Sequence, residues 1–199
     1  MFFFTAVKRW IGARPYLRQL RARPELGLAT LFDPAYYRTS CHTTCYHIWS
    51  RGLLSPLTHF IVAGAFEGAN PHPLFDSAFY LRRNPEVAAS GVNPLFHYLL
   101  HGAAEGRKPH PMFQPDYYAA QLVAKLGSTP AEPGAQPPAH PLLHFLAARD
   151  AGTNPHPLFD CRAYLRAHPE TDGVNPLVDF VLRGPSQVEE GSQSGQAEV

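Results

Sequence analysis

The chain has 199 residues, 45% of them hydrophobic, with 21 prolines and a formal net charge of +1. That length admits one domain or a short array of repeats, and the near-neutral charge excludes a chain-wide electrostatic case for nucleic acid. Proline is about twice its average usage, but it falls at regular places and reads as punctuation rather than disorder.

The first 30 residues form a basic N-terminal segment. Lys8, Arg9, Arg14, Arg18, Arg21 and Arg23 all precede the first acid, Glu25. The charges follow the apolar start instead of leading it, which does not suit a signal peptide. No run in the chain approaches the roughly 18–20 apolar residues that span a bilayer. The segment reads as a helix that caps the end of a stack, with a peripheral contact at the inner membrane through residues 1–23 as the alternative. Pro15 and Pro24 are expected to interrupt a long amphipathic helix.

Four related units follow, at 31–73, 74–111, 112–157 and 158–184. "NPHPLFD" occurs at 70–76 and again at 154–160, with "KPHPMFQ" between them at 108–114. The second unit is the cleanest. The first carries a diverged middle, the third an insertion at 127–141 that reads as a flexible loop, and the fourth is truncated. The tail, 185–199, is polar and small and reads as disordered.

Each unit carries two helix-start signals. In the first, Asp33, Asp76 and Asp160 stand as N-caps, while Gln114 is a poorer one. Phe32, Phe75, Phe113 and Phe159 precede the cap. Tyr37, Tyr80, Tyr118 and Tyr164 follow at the spacing of a hydrophobic staple. In the second, Ser55, Asn93 and Asn175 cap, and Pro56, Pro94, Pro141 and Pro176 take the first helical position. A leucine and an aromatic residue then sit three apart on one face, as in Leu95 and Tyr98. Gly64, Gly102 and Gly184 look like C-terminal stops. Such short helices are marginal alone, so they need neighbours. The predicted fold is all-α, tandem helix pairs joined by extended Pro-His-Pro connectors.

Candidate chemistry is sparse. His72, His110 and His156 lie between prolines. Stacked units place equivalent residues on the order of 8–10 Å apart, too far to share one zinc ion. The same objection applies to His59, His97 and His144, and Asp179 holds that position in the fourth unit. "CHTTCYH" offers Cys41, His42, Cys45 and His47 as metal ligands, but no second ligand pair completes the set. With Cys161 there are three cysteines, which make no disulfide framework, and a cytoplasmic setting is expected. No phosphate loop, dinucleotide fingerprint or nucleophile elbow is present. Glu67 and Glu105 recur once per unit in "EG" turns and do not converge. No catalytic residue and no cofactor is assigned.

The second unit, "FDSAFYLRRNPEVAASGVNPLFHYLLHGAAEGRKPHP", resembles a bacterial repeat of the form FDxxYYLxxNPDVAxxGxNPLxHYLxxGxxEGRxPHP, often found beside glycosyltransferase domains in surface-polysaccharide synthesis. The signature residues are Phe75, Asp76, Tyr80, Asn84, Pro85, Asn93, Pro94, His97, Tyr98, Gly102, Glu105, Gly106, Pro109 and Pro111. The resemblance spans about 31–184 and is partial in the first and third units. It implies a non-enzymatic scaffold whose protein partner is a glycosyltransferase. Rival expectations are an accessory or truncated N-terminal part of a glycosyltransferase lacking its catalytic domain, and a metal-binding protein centred on Cys41–His47.

Overall fold

A computed structural model describes residues 2–41, 54–127, 138–148, 152–171 and 173–184. The insertion in the third unit, apart from its two ends, lies outside those residues, as do the tail at 185–199 and the ligand candidates His42, Cys45 and His47. The fold is all-α: among the described residues there are no strands, only isolated backbone bridges.

The N-terminal segment is one helix, α1 (Phe2–Ala22). Contrary to expectation, Pro15 does not interrupt it. Proline removes the N–H that would bond the carbonyl of Ile11. Ile11 and Pro15 both face solvent, so water can satisfy that carbonyl. The helix ends before Pro24, which opens a 3₁₀ turn, Pro24–Leu26. Ala13, Leu17 and Leu20 form its buried stripe. Gly27 follows with φ of 78° and lies against Leu143, leaving no room for a Cβ.

The remaining helices are α2 (Leu28–Leu31), α3 (Pro34–Ser40), α4 (Pro56–Val62), α5 (Ser77–Arg83), α6 (Pro85–Ser90), α7 (Pro94–His97), α8 (Pro115–Gly127), α9 (Pro141–Ala148), α10 (Cys161–Ala167) and α11 (Pro176–Arg183). The caps act as their sequence predicts. Asp33 accepts from the N–H groups of Ala35 and Tyr36, Asp76 from Phe79, and Asp160 from Ala163. Ser55 accepts from Thr58, Asn93 from Leu95 and Phe96, and Asn175 from Leu177 and Val178. Each cap of this kind stabilises its helix by about 1 kcal/mol.

Helices pair within each unit: α3 with α4, α5 with α7, α8 with α9, α10 with α11. α1 packs across α4 and α7 and so covers the side of the first two pairs. Among the described residues, no helix is long and apolar enough to cross a membrane.

The connectors differ from a straight extended joint. The chain bends at the proline before each histidine and reverses after it. Phe75 N–H donates to His72 O (3.0 Å), Phe113 to His110 O (3.1 Å) and Phe159 to His156 O (3.0 Å), closing three alike turns. Proline after the histidine sits at the turn position where its fixed φ is favoured. The turns are also laid side by side. Asp33 N–H donates to Pro71 O, Asp76 N–H to Pro109 O and Gln114 N–H to Pro155 O, at 2.9, 3.0 and 2.8 Å. Each cap residue thus closes its own unit onto the turn that opens the next.

Candidate functional site

The signature residues converge on one arrangement that recurs in the helix pairs. In the second unit Phe75 stacks on Tyr80 with ring centroids 5.5 Å apart, and Tyr98 meets Tyr80 edge-on at 5.9 Å. Tyr80 Oη then reaches His97 Nδ1 at 2.9 Å. The corresponding pairs are Tyr37 with His59 (2.7 Å) and Tyr118 with His144 (2.8 Å). In the fourth unit Tyr164 donates to Asp179 Oδ2 (2.7 Å), and Arg183 holds the same carboxylate. The Phe–Tyr staple is present in all four, at 5.4–5.7 Å.

Gly102 is not a stop, and Gly64, which follows the end of α4 at Val62, opens a 3₁₀ turn, Gly64–Phe66, instead of a left-handed cap. Neither has a positive φ. Gly102 lies in a π-helical stretch, Tyr98–Gly102, that continues α7. A Cβ on Gly64 would stand 2.0 Å from Tyr37 Oη, and one on Gly102 2.1 Å from Tyr80 Oη. Glycine is required because the tyrosine hydroxyl is packed onto bare backbone on its way to the histidine. Gly184 alone of the three ends its helix with positive φ, 69°. The chain reverses after the pair at Gly68 and Gly106, the glycines of the two "EG" turns, both with positive φ.

This geometry holds the two helices of a pair together. Burial pushes the Tyr80 phenol well above its ordinary value and lowers the His97 imidazole, to which Arg107 adds. Burial likewise lowers His59, with Glu67 opposing. Burial and then the Asp179 hydrogen bond push Tyr164 up to about 12. The pairs stay in separate units instead of converging.

Tyr98 is the odd member of its set, since Phe60, Phe145 and Phe180 hold its place elsewhere. Its hydroxyl is buried, and no partner reaches it among the described residues. Tyr98→Phe removes an unsatisfied polar atom and is expected to raise stability by up to about 1 kcal/mol. Urea unfolding of the two proteins checks this, and a loss above that size contradicts it.

Sequence reasoning missed a charged cluster on the second unit. Arg107 donates to Asn84 Oδ1 (2.6 Å) and pairs with Glu86 and Glu105. Asn84 Nδ2 in turn donates to Tyr80 O (2.7 Å). The "NPE" word of this chain, standing where the resembled form has "NPD", and its "EGR" word are therefore a spatial pair. They tie the end of α5 to the exit turn through a side chain only partly buried. Asn70 and Asn154 do a similar task, accepting from Ser77 and Cys161 N–H (both 3.0 Å).

The Pro-His-Pro histidines are also spent on the fold. Nδ1 of His72, His110 and His156 accepts from the N–H of Leu74, Met112 and Leu158, at 3.0, 3.1 and 3.2 Å. That nitrogen is not available to a metal. Burial pushes His72 down to about 4; neighbouring Asp33 opposes this and His110 adds to it. A proton on Nδ1 would also set a donor against the Leu74 N–H. The unfolded chain, titrating near 6.5, therefore takes up this proton first as pH falls. The contribution of His72 is fully present above that value and is lost as pH falls from about 6.5 towards 4, on the order of 2–3 kcal/mol. His72→Asn keeps an acceptor two residues before Leu74 and removes the titration. Its urea midpoint is expected to fall less than the parent's between pH 7.5 and 4; equal slopes would contradict the assignment.

Of the zinc candidates, Cys41 is buried and ends α3, its N–H donating to Tyr37 O; the other three lie outside the described residues. Among the described residues no three His, Cys, Asp or Glu side chains gather as a metal site. A groove of about 340 Å³ runs beside α1, lined in part by Lys8, Arg9, Tyr16, Phe66, Ser90 and Asn93. Arg9 is engaged there, donating to Val62 O (3.1 Å) with its guanidinium 3.9 Å over the Phe66 ring. The Ser90 hydroxyl donates to Val87 O.

No protein-family profile, curated protein or solved structure matches the chain.

Proposed function

We propose that the chain is a non-enzymatic helical scaffold or interaction module of the bacterial cytoplasm, whose partner is a glycosyltransferase of surface-polysaccharide synthesis. One observation carries the non-enzymatic half. The recurring polar side chains of the units are committed to caps, turns and tyrosine–histidine packing, so they support a framework more readily than a reaction centre. The partner half rests on the sequence resemblance of the second and fourth units.

Affinity capture with the full chain, followed by mass spectrometry and by reconstitution with each purified candidate, tests the reading. Specific, saturable binding of a glycosyltransferase by a chain that alone transfers no sugar from nucleotide donors is the expected result. Sugar transfer by the chain itself would overturn the non-enzymatic half. Binding confined to proteins unconnected with glycan assembly would overturn the other.

A further inference from the structure

α1 has apolar residues on two faces. Its inner stripe is buried on α4 and α7. At 100° per residue, Phe4, Val7, Ile11, Arg14 and Arg18 fall on one stripe of the opposite face. Phe4 is 75% exposed, Ile11 58% and Val7 38%. Lys8, Arg14, Arg18 and Arg21 are exposed around them. The chain's net charge of +1 divides into +6 on residues 1–23, which hold no acid, and −5 on the remainder.

We propose that this outer face of α1 is a peripheral site for an anionic membrane surface. Charge complementarity carries the choice. A helix carrying only basic charge orients its exposed cationic face towards an anionic plane. The apolar residues cluster in the N-terminal half and arginines continue the stripe, so that rings and aliphatic groups enter the acyl boundary while long cationic side chains reach the headgroups. The three apolar side chains present only on the order of a few hundred Å². That is short of the roughly 800 Å² per partner of a stable protein interface, but a fluid surface adds headgroup contacts along the whole helix. The inner face keeps α1 docked meanwhile, so no unfolding is required.

The test is co-sedimentation of the full chain with vesicles of phosphatidylcholine alone and of phosphatidylcholine mixed with phosphatidylglycerol. Binding only to the mixed vesicles, weakening as salt rises, is expected. Phe4→Ser with Ile11→Ser, and separately Arg14→Glu with Arg18→Glu, are expected to lower it at least about tenfold with the helical circular dichroism unchanged. Arg162→Glu, an exposed cation on α10, should leave binding within about twofold, since charge falls off within a Debye length. Four results would overturn the proposal. These are no binding to either vesicle, equal binding to both, an Arg162→Glu loss as large as that of the Arg14 and Arg18 pair, or stripe variants that alter only the oligomeric mass.

Discussion

Gly102→Ala is expected to destabilise the protein by about 2–4 kcal/mol, although the residue lies in a helical segment. Ordinarily Gly→Ala in a helix gains up to about 1 kcal/mol. Here the new methyl carbon would stand 2.1 Å from Tyr80 Oη and 3.3 Å from its Cζ. Tyr80 cannot swing away: it is fully buried, with Phe75 and Tyr98 against its ring. Shifting it also breaks the hydrogen bond to His97. Removing the hydroxyl removes the worst contact, so Tyr80→Phe is expected to relieve most of the penalty. In that background Gly102→Ala should cost no more than about 1 kcal/mol, a coupling of at least ~1 kcal/mol in a double-mutant cycle. Urea unfolding of the four proteins measures it. Additive effects would show that the glycine is there for another reason. Gly64 with Tyr37 offers the same cycle in the first unit.

Phe75→Ala is expected to cost about 3–5 kcal/mol, the range for a fully buried aromatic side chain whose site cannot collapse. Phe75 has no exposed surface and touches both Tyr80 and Tyr98, at centroid distances of 5.5 Å. It also precedes the Asp76 cap, whose N–H holds Pro109 O. Its loss therefore loosens the staple of its own helix and the place where the second unit closes onto the next turn. A shift in the urea midpoint with unchanged slope would report this size; a loss below about 1 kcal/mol would show that the staple is not a core element.

The parts of this fold that were legible in the sequence are those governed by local rules. Asp33, Asp76 and Asp160 announce helix starts because a cap acts within three residues of itself. Phe75 and Tyr80 announce a staple for the same reason. The helix pairs follow from leucine and aromatic residues three apart. What was misread depends on contacts between elements. Gly102 looked like a stop because glycine after a periodic run usually is one; only the approach of Tyr80, 22 residues earlier, shows why a side chain is forbidden. Arg107 and Glu86 meet across 21 residues. Nothing in either word alone reports that. Pro15 was read as a break because the rule for proline is strongest in a buried helix, and here its face is wet. The Pro-His-Pro words were read as rods because proline restrains the residue before it. The hydrogen bond that turns the chain at Pro73 depends on where Phe75 must pack.

The Pro-His-Pro histidines serve the fold as acceptors, each through Nδ1. The most direct measurement is the ¹⁵N imidazole spectrum of the full chain across pH 8 to 4, with and without equimolar zinc. At neutral pH Nδ1 of His72 and of His110 is expected to appear as an unprotonated acceptor. The account predicts that His72 titrates well below its ordinary value of 6.5, and that zinc moves none of the three Pro-His-Pro histidines. A normal His72 titration together with zinc-dependent shifts at these positions would contradict it.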